Sequence, residues 1–256
     1  MAYFHRTGPS TFAPTEHTGG AWALDEQHIA PALGLLAHVV ETDRDARRDD
    51  GLVVARLSYD ILGTIPVEEV GTHVRVLRPG RTIELVEATV THAGRAAVVL
   101  RAWLMRPGDT AVLRGTHLPA IPGPDATPAW DAAGVWEGGF IATTDIRRSQ
   151  VAPGRGHFWV RTSVPLLDDE PVSPLARTAG LLDLANGMTV RADPAQVAFP
   201  NIDLTAHLVT HPRGEWLGFD TTVTFGADGI GLTSSTVHDV GGPVGTMAQV
   251  LTVRSR

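Results

Sequence analysis

The chain contains no cysteine and no lysine; all 21 of its strongly basic residues are arginine. Without cysteine there can be no disulfide framework, thiolate nucleophile or Cys-ligated zinc. Without lysine, Schiff-base chemistry and a P-loop are also excluded, because both require the ε-amine. Aromatic residues make up only 6% and charged residues 19%, yet 43% is apolar, over 256 residues. That balance is globular and long enough to bury a core. A net charge of −7 gives no footprint for a nucleic-acid partner. No apolar run approaches the roughly 20 residues of a membrane-spanning helix. The start, "MAYFHRTGPSTFAPTEH", lacks the basic-then-apolar layout of a signal peptide. A soluble, cytoplasmic protein is expected. A G-x-S-x-G elbow is missing too, which disfavours an α/β-hydrolase.

Two segments carry helix signals. Residues 28–41, "HIAPALGLLAHVVE", have Pro31 near the start, where its missing N–H is harmless. Residues 173–187, "SPLARTAGLLDLANG", open on Ser173 as N-cap with Pro174 at the first helical position, and close on Asn186-Gly187. Most of the remainder alternates as β-strand. In the first half the strands are "LVVARLSYDIL", "HVRVLR", "RTIELVEATVTH" and "RAAVVLRAWLMR". In the second they are "GHFWVRTSV", "NIDLTAHLVTH", "GEWLGFDTTVTF", "GIGLTSSTVHD" and "GTMAQVLTV". Residues 117–134, rich in Pro, Ala and Asp, read as a linker.

The order helix, four strands, linker, strand, helix, four strands is a repeat. "GLL" at 34–36 returns at 180–182, and the same shift of 146 relates Phe12 to Phe158, Pro66 to Pro212 and His92 to His238. Each half predicts a long helix wrapped by an antiparallel sheet. This layout resembles the double-hotdog acyl-CoA thioesterases of the type II kind. The resemblance is strongest over "NIDLTAHLVTHPRGEWLGFDTTVTFGADGIGLTSSTVHDVGGPVGTMAQVLTV" and looser over "EQHIAPALGLLAH" and "RVLRPGRTIELVEA". It implies an α+β fold, a double hotdog of two tandem helix-wrapped sheets forming a pseudo-dimer. An N-terminal hotdog would span 1–116, the linker 117–134, and a C-terminal, site-bearing hotdog 135–256.

In that family a water is held by an Asp, a Thr or Ser, and a Gln from three strands of the second hotdog. Matched residue by residue, these fall on Asp203 in "NIDLT", Thr224 in "TVTFG" and Gln249 in "TMAQVL". The chemistry is sound in itself: thioester hydrolysis needs an activated water and donors for the developing oxyanion. A buried amide in the apolar run around Gln249 also requires a polar partner. A local shift of 145 sets Ser58 against Asp203; Arg78 and Arg101 fall against Thr224 and Gln249. Only the second copy would then carry the site.

The family's oxyanion donors are backbone amides at the start of the first-half helix, a position where N–H groups are unpaired. Here they match His28, Ile29 and Ala30, with Ile29-Ala30 in place of a glycine pair. The resemblance thus implies hydrolysis of an acyl-CoA or other acyl-thioester substrate, with no metal or cofactor. Self-association and the roles of base and nucleophile stay open. So does a non-catalytic acyl-binding or structural hotdog, which the Ile29-Ala30 replacement favours. His207 and His211 share a strand face but lack a carboxylate at metal-site spacing. Arg47, Arg48, Arg147 and Arg148 read first as surface charges.

Overall fold

The computed structural model describes residues 1–20 and 22–256. The first half runs β1 (Phe4–Arg6), β2 (Thr11–Pro14), α1 (Ile29–Arg47), β3 (Val53–Ile61), β4 (Val70–Arg78), β5 (Ile83–His92) and β6 (Arg95–Met105). The second runs α2 (Gly139–Ala142), β7 (Thr144–Ala152), β8 (Arg155–Thr162), α3 (Pro174–Ala179), α4 (Ala185–Met188) and β9 (Val197–Ala198). It ends with β10 (Asp203–Leu208), β11 (Leu217–Phe225), β12 (Ile230–Asp239), β13 (Gly242–Thr252) and β14 (Arg254–Ser255). Besides the two-residue β9 and β14, sequence periodicity misses strands β1, β2 and β7. These three lie at the margins: β1 and β2 at one edge of the sheet, and β7 at the other.

Twelve strands form one antiparallel sheet in the order β1-β2-β4-β5-β6-β3-β10-β13-β12-β11-β8-β7. The order reads the same from both edges once each first-half strand is matched to its counterpart. At the centre β3 pairs with β10, Asp60 opposite Asp203 and Ser58 opposite Thr205. Alternation then fixes the faces. On β10, Leu204, Ala206 and Leu208 are buried, whereas Asp203, Thr205 and His207 are not. The buried face packs on the helices.

Helix α1 is nearly all core: Leu33, Leu35, Leu36, Ala37 and Val40 are fully buried. It runs past the expected end at residue 41 to Arg47, because its last turns are braced by ion pairs. Arg47 and Arg48 both reach the buried Glu84, and Arg48 also grips Asp50. The second-half helix expected over 173–187 is instead broken. Ser173 caps α3 as its sequence predicts, its hydroxyl accepting from the Ala176 amide at 3.0 Å. After α3 the chain turns through Gly180 into a 3₁₀ segment, Leu182–Leu184, and only then resumes as α4. The Asn186-Gly187 pair does not stop the helix, which continues to Met188.

The two helical segments cross at Gly34 and Gly180, the glycines of the repeated "GLL". A Cβ on Gly34 would lie 2.9 Å from the Ala176 carbonyl oxygen and 3.0 Å from the Gly180 Cα. Both neighbours are backbone and cannot step aside. Alanine at position 34 gains about 1 kcal/mol of helix propensity but forces the helices apart, at roughly 1–3 kcal/mol or more. Gly34→Ala is therefore expected to lower the urea midpoint; an unchanged or raised midpoint would contradict the contact.

The segment at 117–134 is less free than its composition suggests. Trp159 donates to the Pro122 carbonyl at 2.7 Å, and the Trp130 amide to the Ile146 carbonyl at 2.9 Å. The run without such ties lies earlier, where residues 107–117 are all exposed and their hydrogen bonds are local.

Candidate active site

A cavity of about 720 Å³ opens where the start of α1 faces the broken helix of the second half. Its wall includes Trp22, His28, Trp136, Asp183, Leu184 and Asn201. Trp22, Trp136 and Phe199 pack edge to face, an apolar lining beside a small polar cluster. That combination is typical of a small-molecule site.

The polar cluster centres on Asp183, which sits on the 3₁₀ turn between α3 and α4 and is 6% exposed. A 3₁₀ interruption inside a helix often marks a functional hinge or a strained stretch. Asn201 Nδ2 donates to Asp183 Oδ1 at 2.7 Å, and Gln249 Nε2 donates to the same oxygen at 3.2 Å. Burial pushes the Asp183 carboxyl up to about 7, and the two amide donors pull against that rise. Each partner is itself fixed. Asn201 Nδ2 also reaches the Asp203 carbonyl at 3.2 Å, and Gln249 stands on β13 opposite Thr233. Asn186 and Trp136 brace the neighbouring backbone through the Phe199 and Gly187 carbonyls. Gln249 Oε1 and Thr233 Oγ1 are buried with no partner among the described residues.

The other Asp183 oxygen, Oδ2, lies 3.9 Å from His28 Nδ1. This is too long for a hydrogen bond and is not an ion pair, because burial also drives His28 down to about 3 and keeps it neutral. His28 is the N-cap of α1, and its Nδ1 accepts the Ala30 amide at 3.1 Å. The ring packs on Phe140, centroids 4.5 Å apart.

The strand triad expected from sequence does not assemble. On the β10–β13 pair, Thr205 faces Ala248 and Ala206 faces Met247. Asp203 therefore shares the outer face with Ala248, and Gln249 shares the buried face with Met247. Asp203 Oδ1 instead accepts the Val250 amide at 2.6 Å, a tie at the first residue of β10. Thr224 pairs with Leu232 and is exposed, on the outer face. Of the three, the structure brings only Gln249 into the cluster. Asp203 and Thr224 are replaced there by Asp183 and Asn201. Asp203→Asn is accordingly expected to leave turnover of any substrate at this cavity unchanged, with at most about 1 kcal/mol lost in stability. A collapse of turnover in that variant would restore the strand reading.

The amides expected to serve an oxyanion fare unequally. The Ala30 N–H is consumed by His28 Nδ1, and Pro31 has none. The Ile29 amide has no acceptor among the described residues. Of the histidines on β10 and just beyond it, His211 bonds the Val54 carbonyl at 2.7 Å and His207 is exposed. Arg148 lies over Trp130 at 4.1 Å, and Arg147 reaches the Pro124 carbonyl at 3.3 Å.

A signal for Asp183 was present in the sequence. The shift that aligns the two "GLL" tripeptides sets Asp183, the next residue, against Ala37. One copy thus carries a carboxylate where the other has a methyl group.

Comparison with known proteins agrees with this architecture. Residues 18–105 match the model for the acyl-CoA thioesterase N-terminal domain, and residues 116–253 that for the acyl-CoA thioesterase C-terminal domain. A hotdog-fold protein of unknown function from Alicyclobacillus acidocaldarius superposes with a TM-score of 0.75 at 13% identity, covering 98% of this chain and 96% of that one. Acyl-CoA thioesterase II TesB2 from Mycobacterium marinum gives 0.69 at 17%, over 99% and 96%. The tesB protein of Mycobacterium avium subsp. paratuberculosis gives 0.66 at 17%, over 98% and 95%. No curated protein matches the sequence. At these identities the superpositions speak for the hotdog fold alone. With the C-terminal domain model matching more than half its length, the chain belongs to the acyl-CoA thioesterase family.

Proposed function

We propose that the chain hydrolyses acyl thioesters, acyl-CoA first among them, to free acid and thiol, with Asp183 as general base. The single observation that carries this is the buried Asp183 carboxyl, held by two amide donors at the wall of a cavity lined in part by aromatic side chains. A carboxyl with a pKa near 7 is matched to moving protons at neutral pH. With Oδ1 engaged by Asn201 and Gln249, Oδ2 is the oxygen left to accept a proton. In the reaction, water adds to the thioester carbonyl carbon while its proton passes to Asp183. The tetrahedral oxyanion then collapses, the C–S bond breaks, and the thiolate takes the proton back. Gln249 Oε1 is the buried acceptor left to hold the second proton of the attacking water.

The same reading covers the architecture. The palindromic strand order and the crossing of Gly34 with Gly180 support two tandem hotdogs, over 1–116 and 135–256. They would pack as a pseudo-dimer joined by 117–134. The site would lie between them, with Asp183, Asn201 and Gln249 from the second copy and the start of α1 from the first. Among the described residues, no helix is long and apolar enough to cross a membrane.

The test is the pH dependence of thiol release from a panel of acyl-CoAs. Wild type should show an ascending limb near pH 7. Asn201 and Gln249 lower the Asp183 pKa by donating to it, so removing either donor raises it. Asn201→Ala and Gln249→Ala should each move the limb to higher pH as well as slow turnover. A limb that stays in place in both variants, or no turnover anywhere on the panel, would overturn the proposal.

A further inference from the structure

Resting on the hydrolase reading above, we infer that the His28 imidazole, rather than the α1 backbone alone, donates the oxyanion hydrogen bond, from Nε2–H to the thioester carbonyl oxygen. The ring's tautomer fits this role. Nδ1 accepts the Ala30 amide at 3.1 Å, so it carries no proton, and the one proton of the neutral ring sits on Nε2. Nε2 has no partner among the described residues, on a side chain that lines the cavity and is 9% exposed. An N–H on a cavity-lining side chain with no acceptor in the protein is available to a ligand's oxygen.

The residue at this cap is itself unusual. Helix N-caps are usually Ser, Thr, Asp or Asn, each of which satisfies an early amide through one oxygen. His28 performs that task with Nδ1 and, unlike Ser, Thr or Asp, retains a second nitrogen that donates in a fixed direction. The cap bond at one end and Phe140 against the ring, at 4.5 Å, lock the imidazole before substrate arrives. Such preorganisation is what makes a donor effective in the transition state. The groups around the ring also fix its charge. Asp183 Oδ2 stands 3.9 Å away without a hydrogen bond, while Phe140 and the α1 backbone carry no charge. A neutral imidazole can polarise a carbonyl without giving up its proton.

The helix start has few free amides left. Of the three amides expected there, that of His28 donates to the Thr18 carbonyl at 2.7 Å and that of Ala30 is spent on the cap, so His28 supplies through its side chain what the backbone has lost. The Ile29 amide remains as a second donor beside it.

Two measurements test the assignment. In steady state, His28→Ala should lose about 10²–10³-fold in kcat with KM little changed, the signature of a contact made in the transition state. His28→Asn retains a cap oxygen and an amide donor, so its stability should recover to wild type and its kcat in part. The pH limb near 7 should stay put in both, because His28 does not titrate there. A wild-type kcat in His28→Ala would overturn the inference, as would a limb displaced by either variant. The second measurement does not depend on turnover. The infrared carbonyl stretch of a bound ketone analogue of acyl-CoA, with CH₂ in place of sulfur, should fall on wild-type protein and return towards the free value on His28→Ala. Equal stretches on the two proteins would overturn the inference. If instead Asp183→Asn turns over like wild type, the hydrolase reading fails, and the infrared comparison still decides whether His28 grips the carbonyl.

Discussion

Replacing Asp183 with Asn is expected to reduce acyl-CoA hydrolysis by about 10²–10⁴-fold, the range general-base catalysis supplies. The substitution is nearly isosteric. The carbonyl oxygen of the new amide can still accept from Asn201 and Gln249, as Asp183 Oδ1 does at 2.7 and 3.2 Å. What disappears is the ability to take a proton from water. The loss should therefore lie in kcat, with substrate affinity preserved. Asp203→Asn provides the internal control, because that carboxylate faces away from the cavity and bonds the Val250 amide. Steady-state thiol release from the two variants, side by side, decides between the helix carboxylate and the strand carboxylate. Equal activity in both would leave the cavity without a base.

The same substitution is expected to change the pH dependence of folding. Burial raises the Asp183 pKa from 3.8 to about 7, so between these values the folded chain holds a proton that the unfolded chain releases. The favourable term is complete below pH 3.8 and disappears as pH rises through 7. Over that window wild type should lose about 4 kcal/mol that Asp183→Asn does not. The variant should thus gain on wild type progressively from about pH 4 to about pH 7, then hold a constant advantage above it. Urea unfolding of both proteins at several pH values gives the difference directly and cancels the other titrations. A difference that is flat with pH would mean that Asp183 is ionised at little cost, and the base assignment would lose its physical footing. Such a cost at a functional carboxylate is the familiar exchange of stability for reactivity.

Asp183 and Asp203 illustrate what could be read in advance. Composition excluded cysteine, lysine and metal-thiolate chemistry outright, since those groups are missing. Alternation located the long strands, because the period of two is local and each strand buries one face. The repeat located the helix pairing: the glycines of the two "GLL" tripeptides do meet, since a close crossing tolerates no Cβ. Gln249 stood out as an amide in an apolar run, and it finds a buried carboxylate partner.

The partner itself was settled only in three dimensions. Asp203 lies in a polar-alternating strand and looked exceptional there, but the β10–β13 register turns it outward while Gln249 turns inward. Asp183 falls inside the helix expected over 173–187, where only its contrast with Ala37 in the first copy sets it apart. A 3₁₀ turn after Gly180 aims it at Asn201 and Gln249, residues 18 and 66 positions away. His28 reads from sequence equally as a site-lining residue or as a helix cap, and only the structure shows that it is the cap and lines the cavity too. Periodicity records which face a side chain takes relative to its neighbours in the chain. It does not record which distant segment comes to face it, and the charge state of a buried carboxyl depends on those segments. The sequence therefore determined the repeat, the strands and the helix crossing, whereas the tertiary structure decided which carboxylate stands in the cavity.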